Sequence, residues 1–467
     1  MKGHQLDTTP AQPVASAQRR AGDESSMTVT VSATLAVNEA LEAKRRQGVR
    51  VLPLGFGEAG LPVHPVMRDQ LTAGNGANAY GPVAGSIDLR EAAAGYWSRR
   101  GLPTDPDTVI AGPGSKPLLY SLLLEIGGDT AIAAPSWVSY AAQSRLVGQR
   151  PVMVPTATGQ GGVPQPDLLH AAVTAAREQG RTVNAVVVTV PDNPTGTVAE
   201  AETVRRLAEV ARELDLLIIS DEIYRDLVHV DARGADRAVV HSPAEYAPER
   251  TVISTGLSKN LALGGWRIGV LRLPDSEIGR RLRGGLLGVA SEIWSSPAAP
   301  VQQAAAHAFT EPAELRDHID RSRRLHGIVA SAVAGVFSRA GAAVAAPSAA
   351  FYLYPDFEPV RERLAALHGV TTGPELTGLL LERYGMGVLP AVEFGESSAA
   401  LRMRVATSLL YGDTEDKRYA ALSAEDPLAL PWIRAHLDRL TEVLGSLLSE
   451  APSTVIPAPK AVAQPVH

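Results

Sequence analysis

The chain has 467 residues, 45% of them hydrophobic, a formal net charge of -6 and no cysteine. A mildly acidic chain offers no electrostatic reason to bind nucleic acid or an anionic membrane, and without cysteine there are no disulfides, no thiolate chemistry, and only histidine and carboxylates to hold a metal, for which no cluster is visible. The length allows one large core or two unequal ones, and with neither a signal-like start nor an apolar run long enough to span a bilayer, a cytoplasmic location is expected.

Residues 1–26, rich in Pro, Gln, Ala and Ser without periodicity, read as a flexible tail. Ser32 is placed to cap a helix running to about Gln47. Val51 to Gly60 reads as a strand entering a glycine-rich turn, where backbone can approach a ligand closely. From about Thr108, short apolar strands alternate with helices. Strands are expected at Thr108–Ala111, Thr130–Ala134, Pro151–Val154, Ala185–Val190, Leu216–Ile219, Thr251–Ser254 and Ile268–Arg272. Near-continuous apolar strands alternating with helices predict a mostly parallel sheet covered on both faces.

Helices near Ser276–Gly288 and Ala299–Thr310 precede a long one from Leu315 to about Ala340. Beyond it, Ala342–Pro347, Ala350–Tyr354 and Leu401–Val405 read as strands, with helices near Glu375–Tyr384 and Pro431–Glu450. The expected organisation is a tail (1–26), an arm with part of a small domain (27–65), a large α/β domain (66–325), a small α+β domain (326–450) and a loose tail (451–467).

Ligands bind at strand ends in such sheets, and the strand ends here carry chemistry. Gly112-Pro-Gly-Ser-Lys116 opens a helix, a geometry that holds phosphate on backbone N–H groups, although many such turns hold nothing. Trp137 can stack on a planar ring or serve as packing. Asn193 lies in Asn-Pro-Thr-Gly196, and Asp221 and Tyr224 lie in Ser220-Asp-Glu-Ile-Tyr224. Gly256-Leu-Ser-Lys259 sets a lysine among small residues, eight positions before Arg267. A covalent lysine needs an uncrowded, partly desolvated site; on this stretch alone, a solvated lysine in a glycine-rich turn is the safer reading.

Asn-Pro-Thr-Gly, Ser-Asp-Glu-Ile-Tyr and Gly-Leu-Ser-Lys-(x)7-Arg-Ile-Gly, in that order, resemble the class I/II aminotransferases, which are fold-type I pyridoxal-phosphate enzymes. The similarity runs from about Ser32 to Thr407. It implies that Lys259 carries the cofactor as a Schiff base and moves the Cα proton, and that Asp221 keeps the ring nitrogen protonated. Tyr224 and Asn193 would bond the ring's phenolate oxygen, and Trp137 would stack on the ring. The N–H groups of Ser115 and Lys116, with Arg267, would hold the phosphate. Tyr80 would reach the phosphate of a neighbouring subunit, which implies a homodimer with shared sites. Gly57 would lie beside the substrate and Arg402 would grip its α-carboxylate, an assignment resting on the alignment of Arg402-Met-Arg-Val-Ala-Thr-Ser408, since Arg404 shares its strand face.

The implied reaction moves an amino group between an amino acid and a 2-oxo acid. The alternative is elimination, substitution or annulation on an S-adenosylmethionine-like amino acid, as in enzymes resembling 1-aminocyclopropane-1-carboxylate synthase. A non-catalytic regulator would need an added DNA-binding domain, for which neither tail reads as large enough. Three features depart from the family. Gly256 stands where a phosphate-binding Ser or Thr is common, with Ser254 or Ser258 as possible substitutes. Gly57-Glu-Ala-Gly60 replaces Gly-Glu-Pro-Asp. An inserted segment, Leu409 to about Leu430, is expected either to cover the substrate pocket or to be a surface loop. Glu292 and Trp294 are candidates for side-chain recognition across the dimer.

Overall fold

The computed structural model describes residues 32–231 and 233–449; the tails expected at 1–26 and 451–467 lie outside them. The alternating pattern folds as its periodicity requires. The Ala201–Glu213 helix buries Val204, Leu207, Ala208, Val210 and Ala211 on one side, and the strand before it, Val183–Thr189, is buried along nearly its whole length. Such runs form an eight-stranded sheet in the order Val109–Gly112, Gly269–Arg272, Thr251–Gly256, Leu217–Asp221, Val183–Thr189, Asp129–Ala134, Val152–Ala157, Gln160–Pro164. The strands from Thr251–Gly256 to Val152–Ala157 run parallel.

Gly269–Arg272 runs antiparallel to both of its neighbours. It therefore begins at the edge where the parallel strands end, and the residues following Gly112, Ala134, Thr189, Asp221 and Gly256 share that edge with those just before Gly269. Apolar clusters cover both faces: Val173, Val186, Leu207 and Ile218 on one side, and Leu118, Ile132, Val187 and Leu271 on the other.

A separate core gathers Leu52 and Leu54 with Val329, Val333 and Phe337 of the long helix, Ala313–Arg339, and with Met386, Met403 and Leu444. Two expectations are corrected here. Val51–Gly60 keeps only Leu52–Pro53 as strand, paired with Met386–Gly387. Ala342–Pro347 forms no strand beyond an isolated bridge between Ala343 and Asp356, because its small residues give a neighbouring strand little to pack against. The last strand is Met403–Ala406, lying between Tyr352–Leu353 and Leu389–Pro390.

Candidate active site

A cleft of about 570 Å³ opens at the shared strand edge, lined by Gly57, Ser115, Lys116, Trp137, Asn193, Asp221, Tyr224, Lys259, Arg267 and Arg404, among others. Lys259 follows the Thr251–Gly256 strand, and its Nζ donates to the Gly57 carbonyl at 2.6 Å. No carboxylate pairs with it among the described residues. Burial, reinforced by the charge of Arg404, lowers its pKa to about 8. An amine that is neutral at little cost near neutrality can attack a carbonyl.

Asp221 ends its strand fully enclosed. Burial raises its pKa to about 6, opposed by a hydrogen bond from Tyr140. The Tyr140 hydroxyl donates to Asp221 Oδ2 at 2.8 Å and sits 2.9 Å from the Thr189 hydroxyl. This carboxylate has donors but no ion-paired cation among the described residues, so a ligand that brings a cationic group would complete it. Tyr224 lies 2.9 Å, hydroxyl to hydroxyl, from Tyr352.

The same cleft is also lined by Ser115, Lys116 and Arg267, which form a cradle of a kind that suits an anion. Gly114 has φ of 93°, and the Ser115–Ile126 helix starts behind it with its first N–H groups unpaired. A Cβ on Gly269 would come within 2.6 Å of the Ser115 nitrogen, and one on Gly114 would run into the Arg267 guanidinium. Arg267 itself holds a left-handed backbone, φ 56°, and donates to the Gly264 carbonyl at 2.7 Å. Gly256 is required by its surroundings: a Cβ there would be 2.8 Å from the Ile268 carbonyl, which leaves no room for the expected Ser or Thr. Of the two suggested substitutes, Ser258 lines the cleft, whereas the Ser254 hydroxyl is buried without a partner.

The two arginines of the last strand part company, and the assignment of the α-carboxylate to Arg402 is corrected. Arg402 precedes the strand, pairs with Glu396 at 2.5 Å and Asp356 at 3.2 Å, and lines a different cavity. Arg404, two residues and about 7 Å further along, enters the Lys259 cleft almost fully buried. It donates to Asn193 Oδ1 at 3.2 Å and to the Gly55 carbonyl at 2.7 Å, with no carboxylate partner among the described residues. A buried guanidinium lacking an anion is costly, and such a site is completed by a ligand that brings one.

Lys116, 5.3 Å from the Trp137 ring centre, is likewise unpaired by any carboxylate among the described residues. Burial and Arg267 lower its pKa. Tyr80 is 91% exposed and lines nothing in its own cleft. Glu292 is exposed, while Trp294 packs partly buried at the end of the Glu277–Ile293 helix. The inserted segment does not extend the cleft, since none of residues 409–430 lines it. Sequence reasoning passed over Tyr140, Tyr352 and the Lys116 side chain. Of these, only Tyr140 left a trace, as a polar ring three residues beyond Trp137.

The sequence matches the family described as Aminotransferase class I and II over residues 50–410. It is 34% identical over 334 residues to a probable aspartate/prephenate aminotransferase of Thermus aquaticus, covering 70% of this chain and 82% of that one. It is 33% identical to an aspartate aminotransferase of Geobacillus stearothermophilus, covering 82% and 93%. The solved structure of an aspartate aminotransferase from Thermus thermophilus with maleate superposes with a TM-score of 0.75 at 28% identity, covering 91% of this chain and all of that one.

Proposed function

The chain belongs to the class I and II aminotransferases and is a pyridoxal phosphate-dependent aminotransferase, and we infer from its cleft how its own residues divide the work. When bound, pyridoxal phosphate supplies an aldehyde with which amines condense and a ring that takes up the electron pair released at Cα. The donor set fits it: an unpaired amine, a glycine cradle at a helix start with an arginine beside it, and a carboxylate aimed at the ring nitrogen.

In this reading Lys259 would hold the cofactor and, as a free amine, would take the Cα proton from the substrate and return it. Asp221, held by Tyr140, keeps the ring nitrogen protonated. Asn193 and Tyr224 donate to the ring oxygen, Trp137 covers one ring face, and the N–H groups of Ser115 and Lys116 hold the phosphate with Arg267. Arg404 grips the α-carboxylate beside Gly57. Elimination or annulation on an S-adenosylmethionine-like substrate is not favoured, because the relatives matched are named aminotransferases.

The observation that carries a substrate class is the count of unpaired cations. Arg267 meets the phosphate and Arg404 the α-carboxylate, which leaves the Lys116 amine to hold a second acidic group. A dicarboxylic donor such as aspartate, named for the relatives, fits that arrangement. We further read residues 66–325 as the large domain, 27–65 with 326–450 as the small one, and the enzyme as a cytoplasmic homodimer in which Tyr80 reaches the partner's phosphate. In keeping with that, no helix among the described residues is long and apolar enough to cross a membrane. Lys259→Ala tests the core of the reading: the visible band of the lysine-bound cofactor and transamination should both vanish, and a surviving band would overturn it.

A further inference from the structure

From Gly55 to Val63 the chain makes no backbone-to-backbone hydrogen bond among the described residues. This stretch carries Phe56, Gly57 and Glu58 into the cleft, and side-chain donors hold its carbonyls instead. Arg404 bonds the Gly55 carbonyl, Lys259 and Tyr352 bond that of Gly57, Ser408 bonds that of Glu58, and Tyr419 bonds that of Val63 at 2.9 Å. The first three donors are groups of the cleft. The last two come from the junction with the inserted segment and from its helix, Glu415–Ser423.

That segment is itself anchored. Tyr411 hydrogen-bonds His326 Nδ1 of the long helix at 2.7 Å, and Trp432 Nε1 donates to the Tyr411 carbonyl at 2.8 Å. Arg324 donates to the Glu425 carbonyl at 3.0 Å, and Ala421 and Leu422 are buried. On the other side Glu415 pairs with Arg68 at 3.0 Å, just beyond the unpaired stretch. Gly60, at φ 66°, fits against the Ser408 carbonyl, where a Cβ would collide. The match to the family ends at residue 410, so Tyr411, Glu415 and Tyr419 lie outside it.

We propose that the inserted segment is a clamp that positions the substrate-facing stretch Gly55–Val63, with Ser408 and Tyr419 as positioning residues that set substrate capture without touching substrate. The inference rests on the aminotransferase reading of the cleft. Covalent geometry does not fix Gly55–Val63, and strand pairing does not either; beside the packing of Ala59 and Leu61 in the cores, side chains reach four of its carbonyls, and those of Glu58 and Val63 are placed by Ser408 and Tyr419. Loosening the outer two lets the stretch swing while Lys259 and Asp221 stay in place, so capture weakens and the chemical step is preserved.

The test compares holoenzyme variants with an amino-donor series. Tyr419→Phe should raise KM for the donor about 5-fold, the worth of one hydrogen bond, and Ser408→Ala with Tyr419→Phe about 20-fold or more, with kcat within about 2-fold. Ser408→Thr, which keeps the hydroxyl, should retain the wild-type KM. A double variant with wild-type KM, or one whose only change is a lower Tm, overturns the proposal. Should the wild type itself show no transamination, the aminotransferase reading fails instead. Hydrogen exchange over residues 55–63 then decides the clamp: faster in the double variant supports it, and unchanged overturns it.

Discussion

The Arg404 guanidinium and the Asn193 amide meet at 3.2 Å, nitrogen to Oδ1, between the Met403–Ala406 strand and the edge of the eight-stranded sheet. With Oδ1 engaged by a donor, the amide must present its NH2 elsewhere. In the reading above, it faces the ring oxygen. In that reading, the arginine proposed to receive substrate also fixes which end of Asn193 would face the cofactor.

Arg404→Gln should therefore raise KM for the amino donor by about 100-fold, the worth of a charge-assisted pair. It should also shift the visible band of the bound cofactor, because Asn193 loses its orienting partner. Arg402→Gln should change KM by less than about 3-fold, as a partly exposed ion pair contributes little. Steady-state kinetics on both variants check the correction made to the sequence alignment.

Tyr140→Phe removes the hydroxyl that holds Asp221 ionised. Cofactor affinity should fall roughly 10-fold or more, since the lost bond is to a charged group, and kcat should fall with it. Equilibrium titration with pyridoxal phosphate measures the first, and turnover at saturating cofactor the second.

If Lys116 holds a distal carboxylate, Lys116→Gln should cut the preference for aspartate over an apolar donor by about 10- to 100-fold in kcat/KM. Activity on the apolar donor should be little changed. Equal losses on both donors would instead place Lys116 with the phosphate.

Burial raises the pKa of Asp192 from 3.8 to about 7, and its Oδ1 has no partner. The folded state keeps this proton where the unfolded chain has lost it. The stability it contributes is complete below pH 4 and lost as pH rises to about 7. The loss is on the order of a few kcal/mol. Asp192→Asn abolishes that dependence, so the variant should gain on the wild type through this window and keep the gain above it. Denaturant unfolding of the apoenzyme at pH 5 and pH 8 checks the sign.

A shared active site predicts complementation. Tyr80→Ala and Lys259→Ala homodimers should each be nearly inactive. Mixing and re-associating them should restore activity to about one site in each mixed dimer, which would carry one intact set of both residues.

The sheet was legible in the sequence from its apolar strands, and the residues proposed to meet the cofactor were legible because each lies near a strand end marked by its own motif. Asn193, Asp221, Lys259 and Arg267 stood out through the three motifs, in their order, that carry the resemblance to the aminotransferase family, and the structure brings all four to one cleft. Arg404 did not stand out, because strand alternation in the sequence puts Arg402 on the same face, whereas in the structure Arg402 precedes Met403–Ala406 and lines another cavity. Tyr140 was hidden because its importance lies in a contact with Asp221, 81 residues away. The clamp was invisible in a different way: nothing in the residues of Gly55–Val63 announces that their carbonyls lack backbone partners.

The reversed strand Gly269–Arg272 has one more consequence. Because Thr251–Gly256 and Gly269–Arg272 are paired antiparallel neighbours, Lys259 and Arg267 ride on a single connecting turn. The gap between amine and phosphate anchor is therefore a ruler held by one hairpin. In the proposed reading, the two points that would fasten the cofactor are thus spaced by the connection between two paired strands rather than by the sheet as a whole.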